Sequence, residues 1–444
     1  MPYKKEFSRV VKQARSVSVW RTRLLFWIGA AFVGLTATLL ALSSTRADGY
    51  FHEWVSRWPW LPFLLTPMGL VTITWATRNL FPGGEGSGIP QAIAALELGE
   101  HADRRAVLSL RIAVGKGLAI VLGLLCGASI GREGPTVHIA ASIMYSLHRL
   151  ANFPIHHMRK GLILAGGAAG LAAAFNTPLA GVMFAIEEMS RSFEERITGS
   201  LMVAVIFAGM TSLTIEGNYT YFGTYSAQLP PLHALGAILV CGVIGGLAGG
   251  LFSTLLIVGG RRLKPIRLAH PYLLALGCGL AVALVGVLSG NTTWGTGYEA
   301  ARGVLEGTEG AAPWYAPLKF LATLFSYLSG IPGGIFAPSL SVGAGLGYNL
   351  SGFFPEAPMV AIGLLGMVGY FSGVVQTPIT AVIIVMEMTD DHRLLLPLMA
   401  TALLADGVSK MVCRQPIYQA LAKDFLVVAK DKDKKAESAG PPPA

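Results

Sequence analysis

Charged residues are scarce in this sequence. They make up 13% of its 444 residues, whereas a soluble globular protein carries roughly 25%. Hydrophobic residues account for 53%, and the 54 glycines also fit membrane proteins, because Gly is more frequent in transmembrane helices than in soluble ones. The net charge of +9 is concentrated at the two ends and in short loops, so it does not indicate nucleic-acid binding. The sequence predicts an integral membrane protein in contact with lipid.

Signatures of catalysis and of metal binding are also missing. The four cysteines lie far apart without metal-ligand spacing, so we expect neither a disulfide nor a metal site. The sequence has no His-Glu-x-x-His pattern, no P-loop and no nucleophile elbow. An alternative membrane-embedded enzyme would use Glu133 and His138 as acid and base. These residues are five apart and would not share a helical face, and no nucleophile accompanies them, so we expect no enzyme and no cofactor.

Basic residues predict which ends of the chain face the cytoplasm. Seven of them precede the first apolar segment, residues 24–42, which is about one bilayer long. The chain ends in a polar, Lys-rich tail. By the positive-inside rule we expect both termini in the cytoplasm and the chain in the plasma (inner) membrane. We divide it into a cytoplasmic arm (1–20), a transmembrane domain (21–425) and a disordered tail (426–444), and we expect a polar loop at 44–58.

One carboxylate lies in the middle of a long apolar region. Glu133 belongs to Gly131-Arg132-Glu133-Gly134-Pro135, inside the largely apolar residues 107–144. An ionised side chain at membrane depth is costly and therefore a candidate for function. Pro135 suits the first turn of a helix, and a helix that begins here would direct free N–H groups at an anion or at Glu133 itself. The structural alternative is a buried pair between Glu133 and Arg132.

Two further stretches combine glycine with a helix start, Gly86-Ser87-Gly88-Ile89-Pro90 and Gly334-Ile335-Phe336-Ala337-Pro338. Three such helix N-termini that converge would form a pocket of N–H donors with few full charges. Such a pocket suits a small anion that must also leave again. The hydroxyl of Ser87 would add one more donor.

The two halves of the chain resemble each other. Residues 176–183 parallel residues 376–383, which places Glu187 opposite Glu387. The stretch 86–90 has a weaker echo at 295–299, and the stretch 131–135 is echoed at 334–338. Interrupted helices at corresponding positions of two halves indicate the binding site of a transporter. The predicted repeats span about residues 60–215 and 270–412.

With three intact glycine motifs in this order, the sequence resembles the CLC family of chloride channels and chloride/proton antiporters, over roughly residues 21–421. The resemblance implies an all-α polytopic membrane protein, an inverted repeat of tilted, broken and re-entrant helices. It also implies a homodimer with one pore in each subunit, which moves chloride and protons. The implied anion-binding residues, several of them acting through backbone N–H groups, are Ser87, Gly88, Arg132, Glu133, Gly134, Ile335, Phe336 and Tyr418.

Two carboxylates are expected to couple chloride transport to proton transport. Glu133 resembles the gating glutamate, which occupies the outer anion position when ionised and accepts the external proton. Glu188 resembles the internal proton relay of the transporters, whereas channels usually have another side chain there. Without the resemblance, Glu187 and Glu188 would simply mark the end of a helix. We therefore expect chloride/proton antiport, and the alternative is a passive, voltage- or pH-gated chloride channel on the same fold.

A few positions refine the resemblance. Ser87 favours chloride as the transported anion, because a proline at that position would resemble the nitrate-selective relatives. The chain ends 26 residues after Tyr418, so we expect no regulatory nucleotide-binding domain after the transmembrane domain. Lys116 lies in an apolar helix where relatives can pair it with a carboxylate just after the serine motif, but here Ile93 stands at that place. Glu97, one helical turn later, is a hypothetical partner of Lys116, and the alternative is that Lys116 is partly solvated.

Overall fold

The computed structural model describes most of the chain. The described residues are 17–98, 104, 106–150, 157–191, 195–229, 231–307 and 312–426. Nearly all of the predicted cytoplasmic arm and tail lies outside them. Within them the regular structure is helical, and the β-pairing that occurs is limited to two isolated backbone bridges. The expected all-α fold is confirmed.

The long series of helices in the described part of the chain precedes a short terminal helix. They are α1 (Val17–Arg57), α2 (Pro62–Asn79), α3 (Ile89–Glu97), α4 (Leu110–Leu125), α5 (Glu133–Ser146), α6 (His157–Phe175), α7 (Pro178–Phe184), α8 (Glu195–Glu216), α9 (Pro231–Ala269), α10 (Pro271–Leu288), α11 (Tyr298–Glu306), α12 (Tyr315–Leu328), α13 (Phe336–Ser351), α14 (Met359–Val375), α15 (Pro378–Thr389) and α16 (Leu395–Val412). A 3₁₀ turn (Leu147–Arg149) follows α5, a π-helical turn (Ala185–Ser190) follows α7, and a terminal helix, α17, covers residues 417–426.

The order of long and short helices recurs in the two halves. The helices α1, α2 and α3 have 41, 18 and 9 residues, and α9, α10 and α11 have 39, 18 and 9. The corresponding helices α2 and α10 pack against each other, as do α7 and α15. The internal duplication in the sequence is therefore also present in the helix order.

The two repeats exchange helix caps. The carboxylate of Glu187 accepts hydrogen bonds from the backbone N–H groups of Ile379 (3.1 Å) and Thr380 (2.6 Å) in the first turn of α15. The carboxylate of Glu387, at the end of α15, accepts equivalent bonds of 3.0 and 2.7 Å from the first turn of α7. The end of α7 therefore lies beside the start of α15, and the end of α15 lies beside the start of α7. This arrangement requires the two helices to run antiparallel. Equivalent helices of the two repeats thus point in opposite directions.

Loss of either exchanged cap is expected to destabilise the protein. Glu187→Gln or Glu387→Gln removes a charge that interacts with a helix N-terminus, and such a cap contributes about 1 kcal/mol. Each variant should unfold at a lower temperature in detergent, and the double variant should show about the sum of the two changes, since the caps do not share partners. Glu97→Gln is the control, because Glu97 is exposed. If both single variants unfolded at the same temperature as the wild type, the capping role would be contradicted.

The first helix is longer than the sequence indicated. The polar loop expected at 44–58 is wrong, because α1 continues to Arg57. One face of this extension is buried, at Ala47, Phe51 and Val55, and this four-residue spacing is that of a helix packed on one side. On the other face, Arg57 and Glu53 form an exposed ion pair of 2.7 Å.

Several helices are too short to cross a bilayer. Five described helices are long and apolar enough to do so, within Trp20–Arg57, Gly199–Glu216, Ala234–Ala269, Pro271–Leu288 and Leu395–Val412. By contrast, α5 has 14 residues and α13 has 16, which correspond to about 21 and 24 Å. The hydrocarbon core of a bilayer is about 30 Å thick. Broken helices of this kind are tolerated where protein encloses their ends.

Candidate functional site

The three glycine motifs meet in space. Gly131 and Gly334 exchange two backbone hydrogen bonds of 2.7 Å each. The N–H of Gly86 donates to the carbonyl of Ile331 (3.3 Å), and the N–H of Gly333 donates to the carbonyl of Gly86 (3.2 Å). The helices α3, α5 and α13 therefore begin beside one another, and their free N–H groups lie in one region.

Two of the glycines are required by this close approach. Gly88 has φ of 101°, in the left-handed region that residues with a side chain rarely adopt. A Cβ atom on Gly134 would overlap the hydroxyl oxygen of Ser87. Any larger residue at either position would push the serine loop away from the start of α5.

Glu133 lies fully buried at this junction. One of its carboxylate oxygens is 3.5 Å from the N–H of Ala337, in the first turn of α13. The other oxygen has no hydrogen-bond partner among the described residues. The carboxylate of Glu133 thus occupies a place beside a helix N-terminus where a bound anion would be stabilised.

The guanidinium of Arg132 points elsewhere. Its Nη1 donates to the carbonyl of Ala41 (2.6 Å) and to the hydroxyl of Thr45 (3.2 Å), both on α1. The described ion pairs do not include Arg132 with Glu133, so the alternative of a simple buried pair is not what the structure contains. Arg132 attaches the glycine motif to α1 through its guanidinium, while its backbone N–H and its positive charge both act on the carboxylate of Glu133.

Two buried hydroxyl groups face the same region from the other side. The hydroxyls of Ser87 and Tyr418 face each other, yet neither has a hydrogen-bond partner among the described residues. The ring of Tyr418 stacks on that of Phe336, with centroids 5.9 Å apart. A buried polar group that lacks a partner costs about 1–3 kcal/mol. Two such donors beside helix N-termini form a suitable set of ligands for a dehydrated anion.

Glu188 is the second buried carboxylate near the site. It is 1% exposed, and neither of its carboxylate oxygens has a partner among the described residues. The side chain of Gln419, next to Tyr418, donates to the backbone carbonyl of Glu188 (3.1 Å). Both Glu133 and Glu188 lie within electrostatic reach of the Tyr418 hydroxyl. The hydroxyls of Ser87 and Tyr418 and the two carboxylates therefore form one connected group.

Comparison with known proteins identifies the family. A family model described as the voltage gated chloride channel matches residues 68–410, which contain all three glycine motifs and Glu188. The chain belongs to the CLC family.

Two CLC relatives at the sequence level are named as exchange transporters. This chain is 30% identical over 443 residues to the H(+)/Cl(-) exchange transporter ClcA of Yersinia pestis bv. Antiqua (strain Angola), which covers 90% of this chain and 88% of that protein. It is 32% identical over 433 residues to ClcA of Vibrio cholerae serotype O1 (strain ATCC 39541), with 92% and 90% coverage.

Solved CLC structures share the fold. A slow cyanobacterial Cl-/H+ antiporter superposes with a TM-score of 0.75 at 25% identity and covers 91% of this chain and 98% of that one. A CLC-type fluoride/proton antiporter gives a TM-score of 0.77 at 22% identity, with 91% and 98% coverage. At that lower identity the likeness concerns the fold alone.

The predicted pairing of Lys116 with Glu97 is wrong in this CLC protein. The Nζ of Lys116 is buried and donates to the carbonyl of Gly86 (3.2 Å), whereas Glu97 is exposed. The other repeat has an equivalent group, because Lys319 donates to the three carbonyls of residues 293–295 at 2.8 to 3.3 Å. Each buried lysine thus holds a glycine loop through its carbonyl oxygens. The only sequence signal of this role is a lone Lys in each of two corresponding apolar helices.

Substitution of Gly134 tests the packing of the predicted anion site. Gly134→Ala would displace the Ser87 hydroxyl, so we expect chloride affinity to fall at least about tenfold, as for the loss of one good hydrogen bond to an ion. Isothermal titration with chloride measures this effect. Gly117→Ala in α4 is the control, because a Cβ there would meet nothing closer than 3.7 Å. Equal affinities of the two variants would rule out the close contact of Gly134 with the anion site.

Proposed function

We propose that this protein is a secondary-active chloride/proton antiporter, in which the anion and the carboxylate of Glu133 compete for the same helix N-termini. The observation that carries the proposal is the position of that carboxylate, buried against the first turn of α13 at the junction of the three glycine motifs. The exchange transporters named among the relatives support the same activity.

The chemistry follows from this competition. When ionised, Glu133 supplies the negative charge that the helix N-termini stabilise. A proton removes that charge, the side chain loses its main attraction to the pocket, and chloride takes its place. The anion is then held by backbone N–H groups and by the hydroxyls of Ser87 and Tyr418. Because these donors carry only partial charges, they bind a halide without retaining it.

Protons from the other side require a second acceptor. Glu188 is buried, has no hydrogen-bond partner on its carboxylate oxygens among the described residues, and lies on the same side of the site as Gln419 and Tyr418. We assign it the internal proton relay. The pairing of Glu133 with His138 in an enzyme has no comparable support, because the Nε2 of His138 is hydrogen-bonded to the carbonyl of Val107 (2.8 Å).

The proposal includes a homodimer in the bacterial plasma membrane, with both termini in the cytoplasm. The helices α7, α8, α15 and α16 pack in one layer, and the layer exposes large apolar side chains. Among them are Leu179, Met210, Ile379 and Leu396, which are 47–75% exposed. A second copy would cover such a face, and lipid would surround the remainder.

Simultaneous recording of the two ions tests the proposed activity. The purified protein is reconstituted into liposomes with a chloride gradient and no proton gradient, and external chloride and pH are recorded together. An antiporter moves protons against their own developing gradient while chloride flows down its gradient. Chloride flux without uphill proton movement would assign the protein to the alternative, a passive chloride channel.

A further inference from the structure

A third hydroxyl group lies beside the serine motif, residues 86–90. It belongs to Tyr327, in the last turn of α12, which the sequence did not place in the site. A Cβ atom on Gly86 would stand 3.2 Å from the hydroxyl oxygen of Tyr327. The backbone N–H of Ser87 faces the same oxygen. The phenol of Tyr327 therefore packs directly against the backbone of the serine motif.

The N–H of Ser87 is a donor that an anion could use. The backbone hydrogen bonds between described residues include the N–H of Gly86 but not that of Ser87. Free N–H groups just before a helix stabilise a negative charge. A phenol oxygen is a neutral acceptor, and a hydrogen bond to an ionised acceptor is about twice as strong as one to a neutral acceptor. Tyr327 thus occupies, weakly, a donor of the predicted anion site.

Tyr327 is more accessible than the other two hydroxyl residues. Ser87 and Tyr418 are buried, whereas Tyr327 is only half-buried. The hydroxyl of Tyr327 lies within electrostatic reach of the Tyr418 hydroxyl. It is also within reach of two charged side chains, Arg267 at the end of α9 and Asp424, which is exposed on α17. The phenol therefore links the buried hydroxyls to a charged part of the protein surface.

The backbone around Tyr327 is fixed to the serine motif. The guanidinium of Arg267 donates to the carbonyl of Leu328 (3.1 Å), and the N–H of Gly330 donates to the carbonyl of Tyr327 (3.2 Å). The next residue, Ile331, accepts the N–H of Gly86 (3.3 Å). Because these bonds hold the main chain, the phenol leaves Ser87 by rotation of its own side chain, for which a half-buried residue has room.

We propose that Tyr327 controls chloride entry from the side of α17, because its phenol oxygen and an incoming chloride compete for the backbone N–H of Ser87. An anion that arrives displaces the phenol by rotation of the side chain, and the phenol returns when the anion has left. Glu133 competes with the anion at α13 as a charged group that a proton switches, whereas Tyr327 competes as a neutral group. The inference rests on the proposed function for the presence of an anion at Ser87.

Isothermal titration of the purified full-length protein with chloride tests the competition. Tyr327→Phe keeps the ring and removes the acceptor oxygen, so the N–H of Ser87 becomes free. Chloride should then bind roughly twofold to tenfold more tightly, as expected when one neutral hydrogen bond no longer has to be broken. A damaged site would bind chloride more weakly, so the direction of the change separates competition from a purely structural role.

Tyr315→Phe is the matched control. It removes a hydroxyl from the other end of the same helix, where the phenol is hydrogen-bonded to the hydroxyl of Ser341, and it should bind chloride as the wild type does. Unchanged or weaker binding by Tyr327→Phe, or an equal rise in both variants, would overturn the proposal. If the wild type itself bound no chloride, the proposed anion site would fail. Wild-type binding that Tyr327→Phe leaves unchanged would remove only the competition.

Discussion

Replacement of Glu133 with Gln is expected to abolish proton transport while chloride continues to cross the membrane. The amide has nearly the shape of the acid but never carries the negative charge that competes for the start of α13. Proton flux in liposomes should fall to that of protein-free vesicles, and chloride flux should lose its dependence on external pH. The simultaneous recording of chloride and pH measures both quantities in one experiment.

A second acidic residue provides the control for this variant. Glu299 lies in the first turn of α11, as Glu133 lies in the first turn of α5. It belongs to the stretch 295–299, which corresponds in the second repeat to the serine motif 86–90. Glu299→Gln should leave coupling intact. Proton transport that survives in Glu133→Gln would remove the basis of the proposed competition.

Replacement of Glu188 with Gln is expected to have a comparable effect on protons. Its carboxylate is buried, has no partner among the described residues, and would pass protons towards the anion site, so the amide should reduce proton flux to background. The proposed anion ligands are untouched, and chloride flux should remain measurable. Liposome recordings under a chloride gradient distinguish this result from a general loss of activity.

The adjacent residue is the matched control for Glu188. Glu187→Gln changes the same chemical group one position earlier, but that carboxylate is bound to the first turn of α15. It should lower thermal stability and retain proton coupling. If Glu188→Gln still moved both ions together, the assignment of the internal relay to Glu188 would be wrong.

The sequence predicted the arrangement of the motifs well, because their chemistry is local. A glycine stretch before a helix start, placed in an apolar region, has few structural solutions at membrane depth. The meeting of Gly86, Gly131 and Gly334 and the burial of Glu133 agree with that expectation. The stacking of Phe336 on Tyr418 brings together two residues that only the family resemblance had associated.

Features that depend on distant packing were not predicted. The carbonyl partners of Lys116 come from a loop 30 residues away, and a sequence motif does not specify such a contact. The extension of α1 to Arg57 depends on the burial of Phe51 against Trp294, with ring centroids 5.2 Å apart. The correspondence of Glu187 with Glu387 was visible at a spacing of 200 residues, but the antiparallel packing that makes them caps was not.

The exchanged caps also bear on how such a protein arises. Each repeat carries the acidic group that completes a helix of the other, so neither repeat expressed alone contains all the bonds that it needs. A single-repeat ancestor would have met the same requirement by pairing with an identical copy inserted upside down in the membrane. Fusion of two such copies would preserve that contact within one chain.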